Sequence, residues 1–187
     1  RFLFNKMSGL ILVLEPNALT LGARALSPHQ QGLILYEANK TFVEIGTVLV
    51  WLMGHYEPSY EKRALILQEH YDRELGDFAR QYPMLPLKVQ QATERKLHPD
   101  KLFSSGQNAL DHWFDAAEWL GIVLRYFLAR TYEMADTPLW DDFAEKALDI
   151  LGRNYYLPVI TDLLQRRLGK MAYPFRHVAP WAFHKVA

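Results

Sequence analysis

The sequence contains no cysteine. That excludes disulfide scaffolds, zinc ribbons, thiolate nucleophiles and cysteine-held iron–sulfur clusters. It has no surplus of either charge, since 21 Lys and Arg stand against 21 Asp and Glu. Proteins dedicated to nucleic acid neutralise phosphates with excess Lys and Arg, so this balance argues against that class. Long apolar runs are missing as well. The longest windows, Leu10–Leu14, Val48–Met53 and Trp119–Val123, fall far short of the roughly 20 apolar residues that a spanning helix needs. Catalytic signatures are equally scarce. There is no Gly-x-Ser-x-Gly elbow, no Gly-x-Gly-x-x-Gly and no Walker pattern, which lowers the expectation of a self-contained enzyme.

What is present suits a packed core. Half of the 187 residues are hydrophobic and 13% are aromatic, and a chain of this mass buries about 22,000 Å² on folding. Pro and Gly fall where helices should start and stop. Ser27-Pro28-His29-Gln30 reads as a capping box with Pro at the first helical position. Leu35, Ala38, Phe42, Ile45, Leu49 and Leu52 then recur in steps of three and four, one stripe of a helix ending near Gly54. A second helix starts by Pro58 or Ser59. Its apolar stripe runs from Tyr60 to Tyr82, opposite a ladder of Glu69, Arg73 and Asp77. Pro83 and Pro86 break the chain before a short helix, about Leu87 to Leu97. The fourth helix, about Asn108 to Met134, is apolar on two faces and is expected at the centre. Further helices are expected from Thr137-Pro138 and from Pro158.

The expected fold is all-α, a bundle of five or six helices with extended N- and C-terminal arms. The boundaries are residues 1–27 for an extended N-terminal arm, 28–170 for the bundle and 171–187 for an extended aromatic arm. Only the stretch around Leu10–Leu14 has the character of a strand. The chain begins at Arg1 with its first Met at position 7. A processed N-terminus has this form, and an organellar, mitochondrial location is the expectation drawn from it.

Seven histidines raise the question of metal. No Glu lies three residues before any of them, so the paired Glu-x-x-His elements of a di-iron bundle are missing. No cofactor or metal is therefore expected. The alternative is a helical-bundle enzyme or carrier holding a metal, haem or lipophilic ligand. His70 and Glu74, four apart on one helix face, together with His55 and His112, are its candidate residues. Asp111, Asp115 and Glu118 read as the solvated strip of the fourth helix.

His98-Pro99-Asp100-Lys101 follows Arg95-Lys96-Leu97 and precedes Ala116-Ala117-Glu118-Trp119-Leu120. These segments resemble the His-Pro-Asp loop and flanking helices of J-domain co-chaperones, over about a fifth of the chain. The resemblance implies stimulation of a partner chaperone's ATPase. Pro83 and Pro86 shorten the helix before the loop, and the family's Tyr-x-x-Leu-Gly opening is missing. Pro99-Asp100 therefore reads as a turn, and no family is assigned.

The ends carry the functional expectation. Tyr173, Phe175, Trp181 and Phe183 crowd a segment that Pro174 and Pro180 keep out of a regular helix. Phe2 and Phe4 give the other end a similar character. Aromatic side chains of this density need a surface to lie on. The expectation is a non-catalytic accessory subunit that docks on partner proteins through these residues, in a larger and possibly membrane-associated assembly, itself not spanning the membrane.

Overall fold

The fold is taken from a computed structural model, which describes residues 2–14, 18, 22, 26–99 and 108–132. The chain divides into two compact units, Arg1–Glu133 and Met134–Ala187, and every described residue belongs to the first. The helices expected from Thr137 and Pro158 and the aromatic arm at 171–187 lie outside the described residues.

The described residues form five helices and no strand: α1 (Phe2–Val13), α2 (Pro28–Leu52), α3 (Tyr60–Gln81), α4 (Leu85–Leu97) and α5 (Ala109–Tyr132). The all-α expectation holds. The N-terminal stretch expected to be extended, with a strand near Leu10–Leu14, is instead helical over Phe2–Val13. Its leucines are not confined to one face. Leu3 and Leu10 are buried while Ile11 and Leu12 face water.

The start of α2 follows from its capping box. The Ser27 hydroxyl accepts from Gln30 N at 3.3 Å, and the Gln30 side chain accepts from Ser27 N at 2.7 Å. Two otherwise unpaired amides are thereby satisfied, with Pro28 in the first turn. The helix packs against each of the other four, and 14 of its 25 residues are buried. The centre of the described unit is therefore α2, not the helix near residues 108–134 that sequence had favoured. Polar residues survive inside α2 because each bonds its own backbone one turn back. Asn39 Nδ2 donates to Leu35 O at 2.7 Å, and Thr47 Oγ1 donates to Val43 O at 2.9 Å.

Close approach of α4 is permitted by Gly46. A Cβ at that position would overlap Val89 Cγ1, and Val89 is itself buried. In α3 the backbone leaves helical geometry at Gly76, with φ +51° and ψ −114°, a conformation that costs glycine little. The expected Glu69–Arg73–Asp77 ladder does not form, and Gly76 interrupts the helix between Arg73 and Asp77. Arg73 pairs with Glu74 at 2.9 Å, and Asp77 pairs with Arg80. Tyr71 OH spans the kink and donates to Tyr82 O at 2.9 Å. Beyond it, Phe78 stacks on Tyr126 of α5 with centroids 4.1 Å apart.

Candidate functional site

Helix α2 ends in a Schellman motif that fixes His55. Gly54 takes φ +80°. The Gly54 amide donates to Trp51 O at 3.0 Å, and the His55 amide donates to Val50 O at 3.1 Å. The His55 side chain is thereby held beside α3, where the four-residue step from His70 to Glu74 puts both on one face. His55 Nε2 lies 3.1 and 3.2 Å from the two Glu74 carboxylate oxygens. His70 Nδ1 lies 2.8 Å from Glu74 Oε1, and the two imidazole rings are 4.5 Å apart. Arg73 completes the cluster. Its Nη2 is 2.6 Å from His70 Nδ1 and 2.9 Å from Glu74 Oε1.

Hydrogen bonds from Arg73 first, then from His70 and His55, hold the Glu74 carboxyl at about 2. Glu74 is thus ionised throughout the neutral range. It acts there as a fixed carboxylate. What it offers is a fixed anion flanked by two imidazoles, a set of atoms suited to holding a cation.

Three of the four candidate ligands, His55, His70 and Glu74, thus come together. The fourth does not. His112 of α5 is buried, its ring 5.8 Å from that of Phe42. Burial, aided by the charges of Arg95 and Lys88, lowers its pKa to about 4. Asp115, read from sequence as solvated, accepts from Lys88 Nζ at 2.6 Å and from Trp119 Nε1 at 3.1 Å. Arg73 was placed by its spacing in a charge ladder. Only its position between His70 and Glu74 hinted at a share in this cluster.

At the other candidate surface, α1 leans on α2 and α5. Trp113 Nε1 of α5 donates to Leu10 O at 2.8 Å, a bond suited to a carbonyl in the last turn of α1. Lys6 is the only ionisable residue between Phe2 and Val13. It is buried and points at Glu37, Nζ to Oε2 being 3.6 Å. Burial, with Lys40 nearby, lowers its pKa. The outward side of α1 therefore carries no charge, and Ile11 and Leu12 are 65% and 84% exposed there. Phe2 and Phe4 lie on this helix, their side chains outside what is described. Tyr173, Phe175, Trp181 and Phe183 lie outside the described residues altogether.

Among the described residues, no helix is long and apolar enough to cross a membrane. Comparison with protein-family models, curated proteins and solved structures finds no match to this chain.

Proposed function

We propose that the protein is a non-catalytic accessory subunit that binds a partner protein through the outward face of α1, within a larger organellar assembly. The observation that carries this reading is the uncharged outer side of α1, with Ile11 and Leu12 in water and the sole ionisable residue turned inward. An apolar helix face is normally packed against another element, and on α1 Ile11 and Leu12 are left exposed. A protein fits this face better than a lipid surface. Helices that lie on membranes carry Lys and Arg along the polar face to meet anionic headgroups, and here Lys6 is committed to Glu37. The aromatic residues Phe2, Phe4, Tyr173, Phe175, Trp181 and Phe183 belong to the same reading as further anchors for the partner.

The test is purification of the full chain from its native source beside Leu12→Asp. The parent is expected to carry a companion protein at fixed stoichiometry. Leu12→Asp should release it with at least about a thirtyfold loss of affinity, the worth of one anchor, at unchanged helix content. A parent that migrates alone at native concentration, or a companion indifferent to Leu12→Asp, overturns the reading.

A further inference from the structure

The corner between α2 and α3 supports a second role, independent of the face of α1. We propose that His55, His70 and Glu74 bind a divalent transition-metal ion of the Zn²⁺ type through two imidazole nitrogens and one carboxylate, with water completing the shell. The three donor atoms lie within 4.8 Å of one another, and the two pairs that include Glu74 Oε1 are separated by 3.1 and 2.8 Å. A tetrahedral ion with bonds of about 2.0–2.2 Å holds its ligand atoms about 3.3–3.5 Å apart. Modest side-chain rotation therefore brings the set to bonding geometry.

The hydrogen bonding already present has the logic of a cation site. Arg73 Nη2 lies 2.6 Å from His70 Nδ1 and 2.9 Å from Glu74 Oε1, so a positive charge already sits against two of the three donor atoms. Arg73 supplies that charge from the outside, and its side chain is 70% exposed. It can swing into water. A metal ion would take its place and recruit His55 as well, once the proton on His55 moves to Nδ1 or leaves.

The donor types set the ion class. Two imidazoles with one carboxylate suit Zn²⁺, Co²⁺ or Ni²⁺, whereas Mg²⁺ and Ca²⁺ favour all-oxygen shells. Because His55 follows α2 while His70 and Glu74 ride on α3, a bound ion would staple the two helices together.

Titration of the full chain with Co²⁺ and Zn²⁺, followed by calorimetry and by the visible spectrum of Co²⁺, tests the site. One ion per chain is expected, together with a rise in thermal midpoint on Zn²⁺ addition. His55→Ala, His70→Ala and Glu74→Gln should each weaken binding by more than about 100-fold, since even an outer partner of a ligand is worth about 10–100-fold. His98→Ala, at the exposed end of α4, should leave binding unchanged. Arg73→Ala should bind at least as tightly as the parent. Circular dichroism checks that each variant folds, and His55→Asn and His70→Asn stand in if an alanine variant does not. A parent that takes up neither ion, or uptake that survives His70→Ala and Glu74→Gln, overturns the proposal. Loss of binding in Arg73→Ala would overturn the displacement step. None of these substitutions touches Leu12, so failure here leaves the docking reading standing.

Discussion

His112 lies where α5 meets α2, stacked on Phe42 with the Arg95 and Lys88 charges of α4 nearby. Its proton affinity is lowered on folding, to about 4, against about 6.5 in an unfolded chain. The unfolded state therefore binds the extra proton between those values. Stability is full above about pH 6.5 and declines as pH falls toward 4, by roughly 2–3 kcal/mol. Urea unfolding across pH 7.5 to about 5 should show this slope in the parent and a flattened one in His112→Leu. Glu74 has the opposite origin but the same direction. Its lowered pKa adds stability above the ordinary carboxylate range that is lost only further into acid. The burial of His112 is not legible in the sequence, because it depends on which arc of α5 meets α2. Gly46 is a second residue whose role appears only with the partner helix in place. Alanine there would gain up to about 1 kcal/mol of helix propensity, yet its Cβ would overlap Val89. Overpacking costs about 1–3 kcal/mol, so Gly46→Ala should destabilise the fold. Val89→Ala in the same chain should recover part of the loss, which a double-mutant cycle reads directly.

At the scale of the element, the capping box of α2 and the apolar stripes were legible because each rests on local spacing. Phe42, Leu49, Leu67, Tyr71, Leu120 and Leu124, expected in the core, are all buried. Ser27→Ala should cost about 1 kcal/mol, read as a fall in the denaturation midpoint, with helix lost first at the start of α2. Helix α1 was not legible. Its apolar runs Phe2–Phe4 and Leu10–Val13 are continuous, and the single polar stretch of Asn5, Lys6 and Ser8 between them is too short to tell a period of 3.6 from one of 2. The kink in α3 was equally hidden. A lone Gly76 within a helical pattern does not announce a change of direction. The cluster at the α2–α3 corner lies between these cases. His70 and Glu74 share a helix face by spacing alone. His55 sits 19 residues before Glu74 and joins them only because Gly54 closes the end of α2.

At the scale of the whole molecule, the central position of α2 decides what can fold by itself. Helices α1, α3, α4 and α5 all lie against α2, whose side chains Phe42, Ile34, Ile45 and Leu49 are fully buried. The chain divides between Glu133 and Met134. A fragment ending at Glu133 should therefore keep α1 to α5 and unfold in one cooperative transition. Within it, Leu49→Ala, at a site with no exposure, should cost about 2–5 kcal/mol, in the range typical of buried leucines. The same substitution at Leu12, exposed on α1, should change stability by less than about 0.5 kcal/mol. Circular dichroism and urea unfolding of the fragment and its two variants provide the measurement. A broad transition without a cooperative midpoint, or equal costs at Leu49 and Leu12, would mean that the core of the first unit is completed by residues beyond Glu133.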